Sequence, residues 1–84
     1  MYTIKLSDYQ EFMGLLIDVR HPLEYSQNHD SRSINIYYDK LLRAPSKYLN
    51  KNIKYYIICD KGHLSKKVVN NLSYLGYNVI QVLK

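Results

Sequence analysis

The chain has 84 residues, of which 46% are hydrophobic and 23% charged, and its net charge is +5. This length provides for one domain, residues 1–84, and the balance of apolar and charged residues excludes a disordered chain. No apolar run approaches the roughly 20 residues that a membrane-spanning helix needs, so no membrane partner is expected. The lysines are scattered and no zinc-finger or RNA-binding motif occurs, so we expect no nucleic-acid partner.

The predicted elements begin with a short strand over residues 2–6. Ser7 then has the position of a helix N-cap, and we expect this helix to stop at Gly14. The apolar run "LLIDV", residues 15–19, follows directly. Because it is nearly continuous, it predicts a strand that is covered on both faces, as in a parallel sheet.

The middle of the chain carries shorter elements. Pro22 is suited to the first position of a helix, which we expect to end near Asn28. Residues 33–37 predict a third strand. Residues 38–49 are ambiguous, and Pro45 divides them into one or two short helical turns.

The last third of the chain has the clearest periodicity. Residues 55–59 form an apolar run that predicts a fourth strand, and residues 79–83 predict a fifth. Between them, residues 64–75 show helical spacing, and Gly76 is a suitable residue just past the helix end. The alternation of strands and helices predicts an α/β fold with a mostly parallel five-stranded sheet and helices on both faces.

The only cysteine excludes an internal disulfide and a CxxC redox pair. A single reduced thiol and the lack of a signal peptide predict a cytoplasmic location. Cys59 and His63 are too few ligands to form a metal site, so no metal is expected.

Cys59 stands where an apolar strand meets a polar turn, in the stretch "YYIICDKGHLSKK". In parallel sheets, ligands bind beyond the carboxyl ends of the strands, so Cys59 is expected on the binding edge. Gly62 allows a tight turn, and the helix that begins near Leu64 adds the positive end of its dipole. We therefore expect several N–H groups to point at one place and to favour the thiolate over the thiol.

This predicted anion cradle has further polar groups. Lys61, His63 and Lys66 add positive potential nearby. Ser65 offers a hydroxyl to whatever atom the sulfur carries. The pattern indicates a nucleophilic cysteine that meets a small anionic substrate. The alternative is an inert structural cysteine, since free cysteines are commonly buried.

Four segments of the chain carry recognisable patterns. They read "LIDVRHPLEY", "NHDSRSINI", "CDKGHLS" and "LSYLGYNVIQVL". In this order they resemble motifs of the single-domain rhodaneses, the thiosulfate sulfurtransferases, including the active-site loop C-x-x-G-x-x-S. The resemblance spans nearly the whole chain and implies the rhodanese-like three-layer fold.

The resemblance also implies a mechanism. Cys59 is the expected nucleophile, which takes the outer sulfur of thiosulfate or a similar anionic donor and becomes a persulfide. The expected substrate-binding residues are Asp60, Lys61, Gly62, His63, Leu64 and Ser65. A thiol or a protein then accepts the sulfur, and no metal or organic cofactor is needed. Asp18 and Arg20 are expected to tie a strand end to neighbouring loops, and a catalytic acid role for them is the alternative.

The chain departs from the family pattern in three places. Leu64 stands where the family often has arginine, which removes one charged contact to an anionic donor. The segment "HDSRS" lacks the Pro-Gly turn that usually precedes the third strand. No closing C-terminal helix follows the last strand, which leaves one flank of the sheet exposed or covered by a second copy. A monomer or a weak homodimer is therefore expected.

The sequence leaves three alternatives to a thiosulfate sulfurtransferase. A sulfur-carrier module would receive persulfide sulfur from a partner protein and pass it on, and Leu64 favours this reading. A rhodanese-like binding module would use no chemistry, but inactive members usually lose the cysteine. A phosphatase or arsenate reductase needs arginine six residues after the cysteine, where this chain has Ser65.

Overall fold

The computed structural model describes residues 3–84. Five strands are present: β1 (Thr3–Lys5), β2 (Leu15–Asp18), β3 (Ser33–Asn35), β4 (Lys54–Ile58) and β5 (Asn78–Leu83). Four α-helices connect them: α1 (Pro22–Gln27), α2 (Tyr38–Arg43), α3 (Pro45–Tyr48) and α4 (His63–Tyr74). Two 3-10 turns, Leu6–Asp8 and Glu11–Met13, lie between β1 and β2. No helix within residues 3–84 has the length and apolar character to cross a membrane.

The five strands form one sheet in the order β1-β5-β4-β2-β3, and every neighbouring pair is parallel. The prediction of a mostly parallel five-stranded sheet is therefore confirmed, and the sheet is entirely parallel. β4 and β2 are parallel neighbours, so their carboxyl ends lie side by side at the same edge of the sheet. Cys59 directly follows β4 and Arg20 closely follows β2, so the topology brings these two side chains to one edge of the sheet.

Each face of the sheet carries its own core. On one face, Val68, Val69 and Leu72 of α4 pack with Leu41 of α2 against inward-facing residues of β2 and β4. Val68, Val69 and Leu72 belong to the apolar face that the sequence predicts for the helix over residues 64–75. Burial of such aliphatic side chains contributes about 1.5–3 kcal/mol each. This core holds α4, and with it the loop that precedes it, against the sheet.

The opposite face is covered by the two 3-10 turns. Tyr9 is buried there with Leu16 and Tyr56, and Leu6 and Met13 pack against the same cluster. The predicted α/β fold with both faces covered is thus confirmed. β5 is the last element within the described residues, so no closing helix follows it there.

The prediction of a helix between Ser7 and Gly14 is wrong. Ser7 lies inside the first 3-10 turn, and Gln10 between the turns has extended backbone angles. The reason is Tyr9, whose ring packs 5.2 Å from the ring of Tyr56 and whose hydroxyl donates to the Gly14 carbonyl at 2.6 Å. These two contacts hold Tyr9 in the buried cluster on this face of the sheet, where the backbone is not a regular helix.

The other differences concern boundaries. The first predicted strand includes position 2, which lies outside the described residues, and the observed β1 begins at Thr3. β3 ends at Asn35 rather than at position 37, although the Ile36 N–H still donates to the Asp18 carbonyl at 3.1 Å. The ambiguous segment 38–49 forms the two short helices α2 and α3, which Pro45 separates as predicted. The fourth strand ends one residue early, at Ile58.

Candidate active site

Cys59 lies at the carboxyl edge of the sheet, between the last residue of β4 and a polar loop. Its side chain is only 5% exposed. It nevertheless lines two cavities, one of about 340 Å³ and a smaller one of about 160 Å³. Cys59 is therefore part of the core beneath α4 and at the same time borders open cavities at this edge of the sheet, a position that suits both a structural cysteine and a nucleophile.

The sulfur of Cys59 has two polar contacts, and Ser65 makes both of them. The Ser65 backbone N–H donates to Sγ at 3.2 Å, and the Ser65 hydroxyl oxygen lies 3.3 Å from Sγ. Ser65 is fully buried in the first turn of α4, so these groups are fixed by the helix. Among residues 3–84, the backbone amide that donates to Sγ is that of Ser65. The sequence also predicted that other amides of the loop point at the sulfur, and this stays a prediction.

Gly62 shapes the loop that joins Cys59 to α4. It adopts φ 82° and ψ −16°, in the left-handed region, and it is the N-cap residue of the helix. L-residues other than glycine enter this region at a cost, because their Cβ approaches the backbone. The turn at Gly62 brings the first turn of α4, with Ser65, into contact with Sγ.

Replacing Gly62 by valine is expected to lower both the stability and the reactivity of the thiol. A Cβ at this position would meet only the Gln81 Nε2 atom, at 3.6 Å, so the cost is in the backbone angle and not in crowding. We expect a loss of about 1–3 kcal/mol in unfolding free energy and slower alkylation of Cys59. Urea unfolding and iodoacetamide kinetics measure the two effects. Gly62→Asn, which tolerates the left-handed region, is the control, and equal losses for both variants would contradict this reason.

The larger cavity brings most of the predicted site residues together. Five of its lining residues were predicted from the sequence: Cys59, Asp60, Lys61, His63 and Leu64. Gly62 lines the smaller cavity, and Ser65 contacts the sulfur from below. Their roles in binding a substrate stay predictions. The larger cavity is also lined by Arg20 and Glu24, which the sequence analysis did not place there.

Asp60, the residue after the cysteine, is the one acidic group of the loop. Lys84 Nζ contacts its Oδ1 at 2.8 Å, and Arg20 Nη1 lies 3.3 Å from both carboxylate oxygens. The hydrogen bond from Lys84 is the main reason that the pKa of Asp60 is lowered, and the Arg20 charge acts in the same direction. Asp60 is thus held as an anion whose charge is balanced by two cations.

Arg20 is anchored by Asp18, and both side chains are buried. The Arg20 Nε and Nη2 atoms donate to the Asp18 carboxylate at 3.0–3.1 Å, and Nη2 also donates to the Asn28 carbonyl at 2.7 Å. The hydrogen bond to Asp18 raises the pKa of Arg20. The pair therefore joins the end of β2 to the end of α1 and to the cysteine loop, as the structural interpretation of these residues predicts.

Gln81 was not predicted as a site residue. It is buried in β5, and its Nε2 donates to the Gly62 carbonyl at 2.9 Å and to the Ser65 hydroxyl at 3.1 Å. The signal in the sequence was the amide side chain of Gln81 inside the otherwise apolar run "VIQVL". A polar residue in a strand that is covered on both faces needs a buried partner, and here the partner is the cysteine loop.

The donor groups at the site suit an anion or an anionic sulfur. The described residues 3–84 contain no cluster of three or more His, Cys, Asp or Glu that could hold a metal ion. Cys59 lines a cavity, and its sulfur accepts the Ser65 backbone N–H and lies within hydrogen-bond distance of the Ser65 hydroxyl oxygen. Such an arrangement stabilises negative charge on Sγ or on an atom bound to it.

Comparisons with known proteins agree with this geometry. The model of the Rhodanese-like domain family matches residues 4–84. A rhodanese-related protein from Thermoplasma volcanium is 34% identical, with a TM-score of 0.85, over 98% of this chain and 83% of that one. A comparison with curated proteins found no match.

Two further solved structures are similar. The reduced CoADR-RHD of Bacillus anthracis is 32% identical with a TM-score of 0.84, and the match covers 96% of this chain and 15% of that one. A rhodanese from E. coli, solved with anions, is 29% identical with a TM-score of 0.69, over 81% of each chain. The family match, the parallel sheet and the placement of the single cysteine lead to one conclusion: this chain belongs to the rhodanese-like domain family.

Proposed function

We propose that this protein is a sulfurtransferase that works through a persulfide on Cys59. In the first half-reaction, the Cys59 thiolate attacks the outer sulfur of thiosulfate or a similar anionic donor. The S–S bond of the donor breaks, sulfite leaves with the bonding electron pair, and a Cys59 persulfide anion remains. No metal or organic cofactor takes part in these steps.

The observation that carries the proposal is the environment of the sulfur. Cys59 Sγ accepts the Ser65 N–H at 3.2 Å while facing a cavity of about 340 Å³. A buried contact on one side and an open space on the other allow the sulfur to hold negative charge and to receive a substrate atom. Lys61 and His63 line the same cavity and favour an anionic donor. The similar E. coli rhodanese, which was solved with anions, supports the same donor class.

The second half-reaction passes the sulfur to a thiophilic acceptor. A thiol or cyanide attacks the terminal sulfur of the persulfide, the S–S bond breaks, and the Cys59 thiolate is restored. The proposed physiological acceptor is a small thiol or a protein thiol. We place the protein in a reducing compartment, the cytoplasm, where Cys59 stays available for each cycle.

Intact-mass spectrometry tests the first half-reaction directly. After incubation with thiosulfate and removal of the excess, we expect an added mass of about 32 Da, one sulfur atom, which dithiothreitol removes. Since Cys59 is the only cysteine, the site of the adduct is unambiguous. A chain whose mass stays unchanged with thiosulfate and with a persulfide donor would overturn the proposal.

A sulfur-carrier module is the second candidate, and Leu64 is the observation that favours it. Leu64 lines the cavity at a position where the family often has arginine, so the wall is apolar there. An apolar wall suits a protein surface that delivers sulfur better than it suits a free dianion. The experiment compares thiosulfate with a persulfide-charged donor protein. Rapid loading by the protein and none by thiosulfate would identify a carrier, and rapid turnover of thiosulfate would exclude one.

A further inference from the structure

The buried side chain of Gln81 reaches the active-site loop from the strand beneath it. Gln81 lies on β5, in register with Thr3 of β1 and Ile57 of β4, and only 4% of the residue is exposed. Its amide nitrogen lies 2.9 Å from the Gly62 carbonyl oxygen. Because a carbonyl oxygen only accepts hydrogen bonds, this contact also fixes which end of the Gln81 amide faces the loop.

The Gly62 carbonyl receives two donors that lie closer to it than the Ser65 hydroxyl does. The Gly62 carbonyl receives the Gln81 amide at 2.9 Å and the Lys66 backbone N–H at 3.1 Å. A carbonyl oxygen has two lone pairs, so these two donors fill it. The Ser65 hydroxyl lies farther away, at 3.3 Å from the same oxygen, and competes poorly for it.

The second hydrogen of the Gln81 amide decides the direction of the Ser65 hydroxyl. Gln81 Nε2 donates to the Ser65 Oγ at 3.1 Å, so this oxygen acts as an acceptor toward Gln81. The single hydroxyl hydrogen is then available for Cys59 Sγ, which is 3.3 Å away. In the thiol form the S–H donates to this oxygen, and in the thiolate form the hydroxyl rotates and donates to the sulfur.

We propose that Gln81 is a positioning residue that directs the Ser65 hydroxyl to the sulfur of Cys59 and thereby favours the anionic sulfur. The amide occupies one lone pair of the hydroxyl and helps to fill the competing carbonyl. The effect extends to the persulfide only if the proposed function holds. The effect of Gln81 on the free Cys59 thiolate does not depend on whether the protein transfers sulfur.

The charged and titratable side chains of the site line the two cavities that Cys59 borders. They are Arg20, Glu24, Asp60, Lys61, His63 and Lys84. Gln81 and Ser65 are neutral and approach from the interior. Removing the Gln81 amide therefore changes hydrogen bonding to the sulfur without changing any of the surrounding charges.

The test is a double-mutant cycle with Gln81→Met, Ser65→Ala and the combination of both. The rate of Cys59 alkylation by iodoacetamide is measured against pH, and every reaction reports on the only thiol. For Gln81→Met we expect the rise in rate to move upward by about one pH unit, because a hydrogen bond to the ionised sulfur is weakened. Ser65→Ala should move it at least as far, and the double variant no farther than Ser65→Ala.

Val79→Ala is the matched control. Val79 lies two residues before Gln81 on the same face of β5 and belongs to the core beneath α4. Its truncation lowers stability but should leave the alkylation profile unchanged. A native profile for Gln81→Met, or a shift that adds fully to that of Ser65→Ala, would overturn the proposal. Failure of both thiosulfate and a persulfide donor to load Cys59 would instead refute the proposed function and leave this result intact.

Discussion

Replacing Cys59 by serine is expected to lower sulfur transfer by about a thousandfold or more, because the proposed nucleophile, the only thiol of the chain, is lost. The fold should persist. A serine hydroxyl is nearly isosteric with the thiol and can accept the Ser65 N–H that now contacts Sγ at 3.2 Å. We therefore expect the unfolding free energy to stay within about 1 kcal/mol of the native value.

Thiocyanate formation from thiosulfate and cyanide measures the transfer, and urea unfolding measures the stability. Cys59→Ala is the companion variant, because it leaves the buried Ser65 amide without a partner and should be the less stable of the two. Full transfer by Cys59→Ser would remove the basis of the proposed mechanism. An unfolded Cys59→Ser chain would show instead that the thiol is mainly a packing residue.

Replacing Arg20 by methionine is expected to reduce the free energy of unfolding by about 3–5 kcal/mol, because it leaves the buried Asp18 carboxylate without its counter-charge. The two side chains are 6% and 5% exposed, so water cannot replace the lost guanidinium. Arg20 also contacts Asp60 and the Asn28 carbonyl, and both contacts are lost with it. Thiol reactivity should fall as well, since Asp60 beside Cys59 keeps only Lys84 as a partner.

The control for Arg20 is Arg43→Met. Arg43 Nε forms an ion pair with Asp39 at 3.1 Å on the surface of α2, where the two side chains are 78% and 47% exposed. Exposed pairs of this spacing contribute about 0.3–0.5 kcal/mol, so the control should be nearly neutral in urea unfolding. Similar losses for the two variants would show that burial of the Asp18–Arg20 pair is not what stabilises the loop.

The sequence was most informative where an apolar pattern is continuous. The runs that became β2, β4 and β5 are covered on both faces, so nearly every side chain in them had to be apolar, and their assignment was confirmed. The helical spacing of apolar residues in α4 predicted that helix equally well. By contrast, residues 7–14 carry N-cap and helix-end signals, but the burial of Tyr9 against the sheet governs their conformation. The contact of Tyr9 with Tyr56 joins distant parts of the sequence, so the local pattern of residues 7–14 does not predict it.

The site was predicted to the extent that it lies in one segment of chain. Cys59 and the loop to Ser65 are contiguous, and a strand–turn–helix pattern places them at the edge of the sheet. Arg20, Gln81 and Lys84 reach the same loop from other strands or strand ends, and only the strand order brings them there. Gln81 stood out as a polar residue in an apolar run, but the run alone did not reveal its partner.

The strand order has a consequence for how the site is assembled. β5 lies between β1 and β4, so it joins β1 to the rest of the sheet, and it is the last strand of the described residues to be synthesised. During synthesis the thiol emerges some twenty residues ahead of Gln81, the residue that supports its loop. Gln81 is supplied by this last strand, so its hydrogen bonds to the cysteine loop require that β5 is in place.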